Sequence, residues 1–175
     1  MNYGASFLGR LCTPTEAWSL TLDDGQFELK VAAKRHSGSV LLLEDLTIKP
    51  GSIWSAVHIA GANGRVMTLD GISNGSARRM LDGIQASIAH QRHIDQSLAE
   101  FGNVIVSVKA WATDVQHASA EQLRTRGWLS QEFKGLLEAR KPAGLDKLLA
   151  VPEVTRHLAN QDADTQAAVT LWLSA

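Results

Sequence analysis

The chain has 175 residues, enough for one domain with a real core or for a small β unit with helical additions. Apolar residues make up 45% and charged residues 20%, ordinary for a soluble globular protein, and a net charge of -1 excludes a chain whose overall field draws in DNA or membranes. The single cysteine, Cys12, excludes an internal disulfide and a cysteine-rich zinc site.

The opening "MNYGASFLGRLCTPTEAW" lacks a basic start followed by a continuous apolar run, so it does not read as a signal peptide. No stretch approaches the roughly 20 apolar residues needed to span a bilayer, and the expected compartment is the cytoplasm. "WSLTL" then alternates Trp18, Leu20 and Leu22, "DDGQ" turns at Gly25, and "FELKV" alternates Phe27, Leu29 and Val31 with Glu28 and Lys30 facing the other way. This predicts a hairpin with one wet side. "KRHSGS" reads as a loop, "VLLLEDLTI" as two short strands joined at Glu44-Asp45, and "KPGS" as another turn. "IWSAVHIA" and "RVMTLDGI" flank "GANG" as a further hairpin. Six or so short strands with no helix between them predict an antiparallel sheet that curls or closes.

After "SNGS" the period changes. Leu81, Ile84, Ile88, Ile94, Leu98, Phe101, Ile105 and Val108 recur at helical steps, so "VIVSV" is read as helix despite its β-branched residues. Gly102 is the expected break or kink in that helix. "SAEQ" fits a capping box of Ser119 with Gln122, and "WLSQEFKGLLEARKP" starts after Ser130 and ends near Pro142. "AGLDKLLAVPEVTRHLANQ" gives one or two short helices interrupted by Pro152, and "DADTQAAVTLWLSA" closes as a helix. Strands first and helices afterwards make an α+β layout, an antiparallel curled β-sheet followed by a long helix and a helical C-terminal extension.

No complete catalytic motif is present. "GANGR" and "GISNG" lack the Lys-Ser/Thr ending of a P-loop and the three-glycine dinucleotide fingerprint, so they read as turns. His90 and His93 stand three apart with Asp95 following, but a third ligand is missing, and a polar helix face accounts for them. Asp23-Asp24 belongs to a turn, and Glu44-Asp45 are adjacent residues that point to opposite faces of a strand. Cys12 reads as a small apolar residue. Five tryptophans, Trp18, Trp54, Trp111, Trp128 and Trp172, read as core anchors, because a base-stacking platform needs several on one open face. The basic residues that suit phosphate contacts are Lys34, Arg35, Arg78, Arg79 and Arg92, the first four in or just after loops. Any one of them is also an ordinary solvated charge, and any DNA contact they make is weak, salt-sensitive and blind to sequence.

The run "IKPGSIWSAVHIAGANGRVMTLDGISNGSARRMLDGIQASIAHQRH" resembles the N-terminal region of bacterial DNA helicase IV. The resemblance is carried by Lys49 and Gly51 of the turn, Ile53-Trp54, Val66 to Leu69, Asp70-Gly71 and the helix from Ser76, and further on by "TRGWLSQEF" and "TQAAVTLWLSA". It covers most of the chain in order and spacing, with sparse identities. It implies a pleckstrin-homology-like β domain with its capping long helix over 1–115 and a helical extension over 116–175, attached to a superfamily-one, ATP-dependent helicase. The chain stops before a P-loop, so no ATP or magnesium residue is carried over, and those cofactors are expected only in a motor not present here.

The resulting expectation is an accessory N-terminal domain, non-catalytic by itself, that positions DNA or docks on the helicase motor, in a parent serving DNA repair or recombination. The second reading is a stand-alone pleckstrin-homology-like protein-interaction module without nucleic-acid binding, offering a strand edge or a sheet–helix groove to a peptide. A small enzyme built from scattered residues ranks last. No membrane partner is expected.

Overall fold

The computed structural model describes residues 1–12, 16–43, 45–60, 66–117, 138–139 and 141–174. These fall into two compact units, Met1–Arg92 and His93–Ala175. The fold is α+β, with two antiparallel sheets, neither closed, a long helix and short C-terminal helices.

In the first unit, strand β1 (Asn2–Gly4) leads to the short helix α1 (Phe7–Cys12), and then come β2 (Trp18–Asp23), β3 (Gln26–Val31) and β4 (Lys34–Ser39). These four strands pair in the order β1-β2-β3-β4. The expected β2–β3 hairpin forms with Asp23 opposite Gln26. Its two turn residues, Asp24 and Gly25, have φ of 41° and 71°, the two positive values of the turn that matches strand twist. Trp18, Leu20 and Leu22 are buried as the alternation requires.

"KRHSGS" is strand β4 and not a loop. It pairs along its whole length with β3, from Val31 opposite Lys34 to Gln26 opposite Ser39. A strand at the edge of a sheet has one neighbour only and need not show an apolar alternation. Its connection to β3 is Ala32-Ala33, with Ala32 at φ 49°, a tight turn with no turn-type residue to announce it.

The apolar run after it also differs from expectation. Val40–Leu43 forms a 3-10 turn, burying Val40 and Leu43, and only Thr47–Pro50 becomes a strand, β5. A 3-10 turn repeats every three residues, so a short apolar stretch serves it as well as a strand. β5, β6 (Trp54–Ala60) and β7 (Val66–Ser73) form the second sheet in that order. The "GANG" turn lies outside the described residues, but the pairing on either side, Ala60 with Val66, is that of the predicted hairpin. An irregularity between Ser55 and Val57 lets β6 bend while Val57 and Ile59 still face the core.

Helix α2 (Asn74–His117) begins on Ser73, whose Oγ accepts the Ser76 N–H at 3.3 Å. Its Ala77, Met80, Ile84 and Ile88 are spaced for one face and join Leu20, Leu29, Leu43, Val57, Leu69 and Ile72 in the first core. α1 meets β7 through two glycines: Ser6 donates its N–H to the Gly71 carbonyl at 3.1 Å, and a Cβ on Gly9 would overlap that same carbonyl.

The second unit holds the later part of α2, then α3 (Leu145–Leu149), α4 (Pro152–Ala159) and α5 (Ala163–Ser174). The "VIVSV" segment is helical as read, and α2 runs through Gly102 without interruption. Pro152 starts α4, where its missing N–H costs nothing. Phe101, Val104, Ile105 and Val108 pack with Leu145, Val154, Val169 and Trp172, and the ring of Phe101 stands edge-on to His157, centroids 6.2 Å apart. The capping box at Ser119 and the start of the helix after Ser130 lie outside the described residues.

Candidate nucleic-acid interface

The five basic residues singled out from sequence all lie in the Met1–Arg92 unit. Lys34 and Arg35 open β4 next to the β3–β4 turn, where successive side chains point to opposite faces. Arg35 shares the outer face with Lys30, directly opposite it, and Glu28. Glu28 pairs with both, reaching Lys30 at 3.3 Å, so a single carboxylate answers two cations. Lys34 and His36 stand on the other face, beyond the apolar Leu29 and Val31. Lys34 has no ion pair among the described residues.

Arg78 and Arg79 lie on the second turn of α2, both exposed. Arg79 donates from its guanidinium to Ser76 Oγ at 3.1 Å, and its carbonyl accepts the Tyr3 hydroxyl at 3.3 Å. Arg78 forms no ion pair or side-chain hydrogen bond among the described residues. One turn below it, Asn74 binds the "KPGSIW" loop: its Nδ2 donates to the Gly51 carbonyl at 2.9 Å, its Oδ1 accepts from the buried Ser55 hydroxyl at 2.6 Å, and its N–H donates to the Ile53 carbonyl. The loop is thus held against the start of the helix, with Ile53 exposed and Trp54 partly exposed beside it. That is more than a hairpin turn.

The β3–β4 turn and the start of α2 belong to the same end of the unit. Val31 pairs with Trp18, whose indole donates to the Asp70 carbonyl at 2.8 Å, four residues before the helix. Arg92 is at the other end. It follows Arg78 by 14 residues, about 21 Å along a helix, and its neighbour Gln91 meets Gly25 of the β2–β3 turn. Lys34 and Arg35 on β4 and Arg78 and Arg79 on α2 thus lie toward that end and Arg92 toward the other, with no hydrogen bond or ion pair joining the two pairs among the described residues. Asn74, the connector of loop and helix, was missed by sequence reasoning; its one signal is an Asn between an apolar strand and a helical period.

Trp18 and Trp172 are core residues, and Cys12 is exposed at the end of α1. Among the described residues, no group of three or more His, Cys, Asp or Glu is placed to hold a metal, and no helix is long and apolar enough to cross a membrane.

Fold and site define a small α+β module in which Arg78 and Arg79 stand beside a loop that Asn74 holds at the start of α2. The family model for the N-terminal region of DNA helicase IV / RNA helicase matches residues 1–173, and the chain belongs to that family. No curated protein and no solved structure matches it.

Proposed function

We propose that the chain is an accessory domain of a helicase and that it positions DNA for the motor. The observation that carries this reading is Arg78, exposed and without an ion-pair partner among the described residues, next to Arg79 and above a loop that Asn74 fixes in place. A cation not already neutralised gains most from a phosphate. Lys34 adds to the same end, and Arg35 contributes less because Glu28 already holds it. The two sheets of four and three strands followed by a helix support a pleckstrin-homology-like Met1–Arg92 unit. Unwinding, with its ATP and magnesium, belongs to the motor, and the cytoplasm is the compartment where DNA repair or recombination would use it.

The test is fluorescence anisotropy of labelled single-stranded and forked DNA at about 50 mM and about 200 mM salt, a range over which several phosphate contacts change affinity by orders of magnitude. Binding is expected at the lower salt, collapsing at the higher, and Arg78→Glu/Arg79→Glu is expected to weaken it further. Binding unchanged by that double reversal would remove this patch from the interface.

A second reading, docking on the motor or another protein, is favoured by α1. Phe7, Leu8 and Leu11 are 68%, 63% and 69% exposed and fall on one side of the helix. Absence of DNA binding at either salt would favour it.

A further inference from the structure

We propose that the outer edge of β4 takes up an acidic, extended peptide segment of another protein as an added antiparallel or parallel strand. β4 ends the four-stranded sheet, and among the described residues it pairs with β3 alone. In a hairpin closed by two residues, Val31 and Lys34 exchange hydrogen bonds, and alternate pairs along the strand do the same. Lys34, His36 and Gly38 therefore turn their main-chain groups toward β3. Arg35 and Ser37 turn theirs outward, and among the described residues neither has a main-chain partner there. Lys34 through Ser37 are exposed. This is an open row of donors and acceptors.

Charge decides what fits the row. The strand carries Lys34, Arg35 and His36 and no acid, so two copies of β4 laid edge to edge would set like charges against each other. An acidic strand would instead face Lys34, without an ion pair among the described residues, on one side of the sheet and, on the other, Arg35 and Lys30, whose two charges the single carboxylate of Glu28 leaves in excess by one. The row also has an apolar end. Leu42, in the 3-10 turn that follows β4, packs with Phe27 into the space where a side chain on Gly38 would stand, and at 57% exposed it still offers apolar surface to one residue of the guest. Basic residues on an edge also serve simply to prevent self-pairing. The two roles differ in one respect: strand addition needs the outward N–H of Ser37, and charge protection does not.

The experiment uses the whole chain and a fluorescein-labelled peptide of about eight residues alternating glutamate and valine, with a lysine–valine peptide as control. Proline is tolerated on an edge strand where its N–H would face solvent, so Ser37→Pro is expected to keep the circular dichroism spectrum and melting temperature of the parent. It is expected to weaken the acidic peptide about tenfold or more, as is N-methylation of alternate peptide amides, which needs no change in the protein. Lys34→Glu/Arg35→Glu is expected to weaken it too, and the lysine–valine peptide is not expected to bind. DNA binding through Arg78 and Arg79 is expected to survive Ser37→Pro. The proposal is overturned if the acidic peptide does not bind, if both Ser37→Pro and the N-methylated peptide bind like their parents, if DNA displaces the peptide while Ser37→Pro changes neither, or if sedimentation shows the chain pairing with itself through this edge.

Discussion

Asp162 stands one residue before α5, and both of its oxygens are engaged. Oδ1 accepts the Thr165 N–H at 2.8 Å and Oδ2 accepts the Thr165 hydroxyl at 2.9 Å. The N–H of Thr165, then its hydroxyl, hold the carboxyl below its ordinary 3.8, with Lys109 at 3.9 Å the weakest contributor. A depressed carboxylate stabilises the fold fully above the unfolded value and loses that contribution as pH falls through the folded one. The loss therefore begins below 3.8 and not near neutrality. Asp162→Ala should lower the melting temperature at about pH 7 and flatten the decline on acidification to about pH 3, both read by circular dichroism. An acid slope identical to the parent's would show that another carboxyl produces it. Asp162→Ser should restore most of the neutral-pH loss without restoring the slope.

At the scale of elements, legibility followed how much of an element's identity is local. The β2–β3 hairpin was readable because alternation and an Asp-Gly turn agree. α2 was readable because its period outweighs the β propensity of Val104, Ile105 and Val106. β4 was not, because an edge strand is defined by a neighbour, and "KRHSGS" has the composition of a loop. β1 was not, because three residues carry no period and its strand state comes from pairing with β2. The pairing of Arg35 with Glu28 was hidden for the same reason: it depends on register across two strands. Gly102 was expected to break or kink α2, and the helix runs through it unbroken. A Cβ there would meet nothing within 4 Å, so the glycine costs helix stability without serving packing. Gly102→Ala should raise stability by about 0.5–1 kcal/mol in urea unfolding. A loss would mean that the helix bends at this point in solution.

At the scale of the whole molecule, the order of strands before helices was readable from β2 onward, though not the short α1 between β1 and β2, and the family was readable from the "KPGSIW" turn onward. That β4 and the start of α2 lie toward the same end was not, because it rests on Trp18 reaching Asp70 and Asn74 reaching Gly51 across the fold. One helix supplies both cores, with Met80 and Ile84 in the first and Phe101 and Val108 in the second.

Among the described residues, each core also contains one deeply buried indole, Trp18 in the first and Trp172 in the second. Emission from a buried indole shifts when solvent reaches it, so the molecule carries a separate optical reporter for each unit. With Trp54, Trp111 and Trp128 changed to Phe, and then either Trp18 or Trp172 removed in turn, a denaturant titration reads one unit at a time. Coincident midpoints would mark a single cooperative transition, and separated midpoints two. The same pair of signals would reveal which unit responds when DNA or an acidic peptide is added, without a label attached to either.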